Sequence, residues 1–186
     1  MKFAICNEIF QNWKLEDAMA YAARVGYDAL EIAPFTIANS VTDISASERQ
    51  KMRESAKRNN IEIAGIHWVL MKPEGLHINH PDREIRQRTS RYLADLVHFC
   101  ADVGGRVMVF GSPKQRNVLE GVSSEQAWDW SAQTFKDPVK AAEARGVTIC
   151  FEPLAPSETN FMNSAEEALR FTRSFGSDHF KIILDV

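Results

Sequence analysis

The chain has 186 residues, a formal net charge of −3, and 45% hydrophobic and 25% charged residues. That length fits one domain with room for a sizeable core, and the composition is ordinary for a soluble globular protein. The acidic balance argues against a nucleic-acid partner, and no apolar run reaches the length needed to span a membrane.

Met1-Lys-Phe-Ala-Ile runs directly into a strand, with no secretory signal ahead of it. Cys6, Cys100 and Cys150 sit in apolar contexts without metal-type pairing, so three buried thiols in a reducing cytoplasm are expected. Lys2 to Cys6 reads as a first strand. A helix follows from Leu15 to Val25, with Leu15, Ala18, Met19 and Ala22 as its buried stripe and Gly26 as its stop. Tyr27 to Ile32 is the second strand. Ser45-Ala-Ser-Glu48 is a capping box that opens the second helix, which ends near Asn59-Asn60.

Ile61 to Ile66 is the third strand, with His67-Trp68 at its end. Residues 69 to 81 read as loop and carry His77 and His80. The third helix spans Asp82 to Val103, and Gly104-Gly105 stops it. Arg106 to Phe110 is the fourth strand, followed by Gly111-Ser-Pro-Lys-Gln-Arg116. Ser123 and Gln126 cap the fourth helix, which Asp137-Pro138 is expected to kink or split. Val147 to Phe151 is the fifth strand, ended by Glu152. Asn163, with Glu166 three residues on, is expected to cap the fifth helix, which runs to Phe175. Phe180 to Leu184 is the sixth strand, and Asp185-Val186 follow it.

Strands alternate with helices at about thirty residues per unit, which argues α/β with a parallel sheet. Alternation alone does not separate an open doubly wound sheet from a barrel. No Gly-x-Gly-x-x-Gly follows the first strand, which weakens a dinucleotide-binding reading. Functional groups end one strand after another: Glu31, His67, Ser112 with Lys114, Glu152 and Asp185. In a (β/α) barrel all of these face one mouth.

Glu152-Pro-Leu, then Glu158-Thr-Asn-Phe-Met-Asn163, resembles the sugar-phosphate isomerase/epimerase superfamily, the xylose isomerase-like TIM barrels that include ketose 3-epimerases and share the endonuclease IV fold. Ile183-Leu184-Asp185 matches the same pattern. The resemblance implies a TIM-barrel-type (β/α) repeat. Such a barrel has eight strands and typically about 250 residues, so residues 1–186 read as a single domain, C-terminally truncated, with six strands of eight. The first and sixth strands are then expected to remain open edges.

The resemblance further implies a divalent metal, Mn²⁺, Co²⁺ or Mg²⁺ with Zn²⁺ as a further option, held by Glu152 and Asp185. A His and a Glu on strands seven and eight would complete the shell. Glu152 is also the implied base, taking a proton next to a ketose carbonyl to give an enediolate. Substrate contacts fall to Glu158, His67, Glu31, Lys114 and Arg116, the two bases suiting an acidic or phosphorylated sugar. Each has a plainer alternative: a solvated loop Glu for Glu158, a His packed under Trp68 for His67, a salt bridge for Glu31, and solvated loop bases for Lys114 and Arg116. The expected function is a metal-dependent sugar isomerase or epimerase in carbohydrate metabolism, impaired in this chain alone. The alternatives are a dehydratase or lyase of the same superfamily, or an inactive remnant completed by another chain, with homo-oligomerisation left open. A multi-zinc DNA-repair site is disfavoured by the charge balance and the scattered histidines.

Overall fold

The computed structural model describes residues 1–185. Val186, which the sequence places after the sixth strand, lies outside the described residues. Six strands alternate with five helices: β1 (Ala4–Cys6), α1 (Leu15–Arg24), β2 (Ala29–Ile32), α2 (Ala46–Arg58), β3 (Glu62–Ile66), α3 (Arg83–Val103), β4 (Val107–Phe110), α4 (Ser124–Arg145), β5 (Thr148–Phe151), α5 (Ala165–Arg173) and β6 (Phe180–Ile182).

The sheet order is β1-β2-β3-β4-β5-β6, and every neighbouring pair is parallel. Parallel crossovers are right-handed, so an order that never reverses puts every helix on the same face. A doubly wound sheet reverses at a switch point and carries helices on both faces. The ambiguity left by the alternation is thereby resolved in favour of the barrel-type wind. Among the described residues β1 pairs with β2 alone and β6 with β5 alone, so the sheet is open.

Side-chain alternation sorts each strand. Leu30, Ile32, Ile66, Met108, Phe110, Ile149 and Phe151 are buried toward the helices. They meet Leu93 and Leu96 of α3, Phe135 of α4 and Phe171 of α5 in one apolar core. Phe135 joins its aromatic part across three strands, with ring centroids 5.0 Å from Phe110, 5.2 Å from Phe180 and 6.0 Å from Phe151 and Phe171. Each buried Phe contributes roughly 1.5–3 kcal/mol from area alone, so this cluster ties β4, β5 and β6 to α4 and α5. At Gly65 a Cβ would lie 1.9 Å from the Val107 carbonyl oxygen, so only glycine lets β3 approach β4 this closely.

The capping boxes Ser45/Glu48 and Ser123/Gln126 form as the sequence indicates. Gly104 and Gly146 end α3 and α4 with left-handed φ of 95° and 64°. Two expectations are corrected. The cap of α5 is Ser164, boxed with Glu167, because the Asn163 amide is used elsewhere. Its Nδ2 donates at 2.8 Å to the carbonyls of both Leu154 and Thr159, closing the loop after β5. Pro138 does not split α4, which runs unbroken to Arg145 with Phe135 and Val139 anchored in the core on either side.

Candidate functional site

The parallel ladder brings the strand ends together. Glu152 follows Phe151, and its N–H donates to the Phe110 carbonyl at 3.0 Å. Ile183 donates to the Phe151 carbonyl at 3.1 Å, which carries the run to Asp185 alongside Glu152. On the other side, Cys6 and Glu31 are direct partners in the β1–β2 register, and the His67 N–H donates to the Ile32 carbonyl at 3.0 Å. Ile149 and Phe151 face the helices, so alternation places Glu152 with Cys150 on the helix-free face.

Glu152 is the most desolvated acid of the group, 7% exposed. Burial raises its carboxyl above the ordinary range. His67 and Arg116 pull it back, while Asp185 and Glu158 push it further up. Four of the residues expected around the site therefore share its field. The space for its carboxylate is made by Gly111, where a Cβ would lie 2.4 Å from Oε2.

His67 is half-buried, with Nδ1 3.5 Å from Glu31 Oε2 and its ring stacked on Trp68. Burial pulls the imidazole down, but Glu31, with Glu152 and Glu8 behind it, outweighs that and holds it above its ordinary value. His67 thus packs on Trp68, the plainer of the two readings weighed for it, and also meets Glu31. Glu158 is exposed in the loop after β5, where Oε2 accepts from the Ala155 N–H at 3.2 Å.

The two bases after β4 separate. Lys114 is exposed on the turn Pro113–Gln115. Arg116, expected as a substrate contact with a solvated loop base as the plainer alternative, is 0% exposed. Its guanidinium lies 5.0 Å from the Phe151 ring centroid and its Nη1 donates to the Glu152 main-chain carbonyl at 2.7 Å. Burial lowers it to about 10, with Glu152 and Glu158 opposing the shift. Its Nε and Nη2 are buried without a hydrogen-bond partner among the described residues. In this structure Arg116 touches protein rather than solvent, and its reach is toward Glu152.

Other expectations need amending. His77 does lie in a loop, but a buried part of it, and burial pushes it down to about 4. Cys100 is buried, but Cys6 and Cys150 are only half-buried. Cys6 also does have metal-type company, because its Sγ and ligand atoms of Glu31 and His67 all lie within 4.8 Å of one another. Linear spacing hides this group, since its members sit on three strands.

The model of the xylose isomerase-like TIM barrel family matches residues 19–186. The chain belongs to that family. The D-psicose 3-epimerase of Ruminiclostridium cellulolyticum is 25% identical over 168 residues, covering 88% of the chain and 54% of that protein. The L-ribulose 3-epimerase of Mesorhizobium japonicum is 27% identical over 173 residues, covering 92% of the chain and 54% of that protein. The chain therefore spans about half the length of the curated relatives it matches. The D-psicose 3-epimerase from Clostridium cellulolyticum H10, solved with D-tagatose, superposes with a TM-score of 0.83 at 22% identity, covering all of this chain and 63% of that one. A 3-keto-D-glucoside 4-epimerase from E. coli gives 0.77 at 17% identity, covering all of this chain and 68% of that one. These structures share the fold. Among the described residues no helix is long and apolar enough to cross a membrane.

Proposed function

We propose that the chain supplies the base and half of the metal shell of a ketose 3-epimerase or isomerase. The supporting observation is Glu152, a desolvated carboxylate at a strand end whose charge is coupled to Asp185, His67, Arg116 and Glu158. The fit to a divalent ion is chemical. Asp185 acts to raise the proton affinity of Glu152, a cost that a bound cation relieves, and oxygen donors suit Mn²⁺, Mg²⁺ or Co²⁺. Glu152 and Asp185 would hold the ion. When bound, it supplies Lewis-acid stabilisation to negative charge developing on the sugar oxygens. The remaining ligands would come from water, from groups outside residues 1–186, or from a second chain.

The residues of this chain do the proton work. A raised carboxyl is a stronger base near neutral pH than an ordinary Glu. Glu152 takes the proton from the carbon next to the ketose carbonyl. The C–H electron pair becomes the carbon–carbon double bond of an enediol form, and the carbonyl oxygen takes the charge. Arg116 holds the Glu152 main chain from behind by its 2.7 Å hydrogen bond, fixing where the base stands. His67, held above its ordinary value, and Glu158 would bond sugar hydroxyls. Lys114, exposed on its turn, would meet an acidic group at the far end of a substrate. Inversion needs a second acid on the opposite face of the sugar, from outside the described residues.

The test is product analysis after incubation with D-psicose or L-ribulose and Mn²⁺, chosen because relatives carry those names. Exchange of the C3 proton with solvent, or a C3 epimer where a second chain supplies the opposing acid, seen with the wild type and lost in Glu152→Gln supports the proposal. A dehydrated product would move the assignment to a lyase. An epimer formed equally by Glu152→Gln would remove Glu152 as the base.

A further inference from the structure

We infer that Cys6, Glu31 and His67 form a second, sulfur-containing metal site at the ends of β1, β2 and β3, one that takes a zinc-class divalent ion. Each offers a ligand atom, and the three atoms lie within 4.8 Å of one another. Zinc binds sulfur at about 2.3 Å and imidazole or carboxylate at about 2.0–2.2 Å, so tetrahedral neighbours stand roughly 3.3–3.7 Å apart. The donors must close by about 1 Å on binding, a movement of the size that small side-chain rotations of Glu31 and His67 would make.

The main chain sets this placement. Cys6 and Glu31 are direct cross-strand partners. A register shift between Leu30 and Glu31 re-aims Glu31 relative to β3. The buried Asn7 locks the turn after β1 to the turn after β2: its Oδ1 accepts from the Ala33 N–H at 2.7 Å and its Nδ2 donates to Thr36 Oγ1 at 2.9 Å. The His67 ring is steadied by Trp68, with centroids 5.9 Å apart and planes 26° from parallel. Donors carried on rigid strand ends are the arrangement that a defined coordination geometry needs.

The donor chemistry differs from that of Glu152 and Asp185. Thiolate and imidazole favour Zn²⁺ and Co²⁺, whereas an all-oxygen pair suits Mg²⁺ and Mn²⁺. On binding, the sulfur–metal bond replaces the Cys6 S–H bond and that proton leaves to solvent. His67 exchanges its contact with Glu31 for the ion, as a neutral imidazole. Three protein ligands leave a fourth position for water. It opens on the face shared with Glu152, whose charge His67 feels. This site stands whether or not the epimerase reading does.

The test is a Co²⁺ titration of the reduced protein, followed by absorption. The expected result is a thiolate-to-cobalt charge-transfer band in the near ultraviolet, with visible bands of tetrahedral intensity. Cys6→Ser should remove the charge-transfer band, while Cys150→Ser and Glu152→Gln keep it. His67→Asn should keep the thiolate but weaken binding by at least about tenfold, no less than the loss of an outer hydrogen-bond partner costs. Circular dichroism checks that each variant is folded. No charge-transfer band in the folded wild type, or one that survives Cys6→Ser, overturns the proposal. If Cys6→Ser does not fold, His67→Asn decides: unchanged Co²⁺ affinity overturns it.

Discussion

Gly111 offers the sharpest perturbation of the candidate base. Replacing it with alanine leaves the backbone unstrained, because Gly111 is outside the left-handed region. The new methyl would start 2.4 Å from Glu152 Oε2, and ordinary contact begins near 3.4 Å. The carboxylate oxygen must therefore retreat by about 1 Å, a misplacement that can cost roughly 10²-fold in rate. Glu152 Cδ, at 3.6 Å, already clears the methyl, so rotation of the carboxylate absorbs the clash and the fold should survive. The expected outcome for Gly111→Ala is a stability change under about 1.5 kcal/mol, Mn²⁺ binding weakened about tenfold or more, and a loss of turnover approaching 10²-fold. Calorimetry and denaturant unfolding read the first two directly. Wild-type Mn²⁺ affinity in Gly111→Ala would refute the reasoning, since the displaced oxygen would then have no part in the site. Collapse of the fold would refute it too, by showing that the carboxylate cannot move.

Phe135→Ala empties the centre of a ring cluster that touches β4, β5 and β6. It should cost about 3–5 kcal/mol in urea unfolding, and a loss below about 1 kcal/mol would contradict the packing described. Asp102 bridges Arg49 of α2 and Arg145 of α4 at 2.8 and 2.6 Å. Burial acts to raise its carboxyl, but the bonds to Arg145 and Arg49 outweigh that and hold it below the ordinary range. The folded form thus favours the ionised state, and the stability this gives is present above the ordinary carboxyl range and lost as pH falls through the lowered folded value. Because Asp102 is about a third exposed, Asp102→Asn should cost only about 1 kcal/mol at neutral pH, with the difference closing in acid; a pH-independent difference would point to packing instead. Arg116→Ala removes a buried cation that lowers the Glu152 carboxyl. It should destabilise the chain by about 3 kcal/mol and raise Glu152 further in a carbon-13 NMR titration. An unmoved Glu152 would show that Arg116 acts on the fold alone.

The sequence made the alternation of strands and helices legible because each strand is an apolar run and each helix begins with a short polar cap. Glu152 and Asp185 stand out as candidates because they follow the ends of two of those runs and match the family pattern there. Residues whose meaning depends on the third dimension could not. Arg116 reads as one of two loop bases, yet the turn Pro113–Gln115 sends it inward beneath Phe151 while Lys114 stays outside. Cys6 reads as one of three isolated thiols, because Glu31 and His67 reach it only through pairing of β1 with β2 and β2 with β3. The cap of α5 lies one residue beyond the position the pattern suggests, because Asn163 and Ser164 each have a Glu three positions on. Local pattern cannot tell which one the loop after β5 will take for its own hydrogen bonds.

The central claim is that Glu152 removes the proton next to a ketose carbonyl. Proton NMR of a ketose incubated with the protein and Mn²⁺ in D₂O tests it most directly, because exchange at C3 needs one base and no partner on the other face. The account predicts deuterium entering C3 with the wild type, faster than any epimer accumulates, and no exchange above the buffer rate with Glu152→Gln. Exchange that persists in Glu152→Gln, or none with the Mn²⁺-saturated wild type, would contradict it.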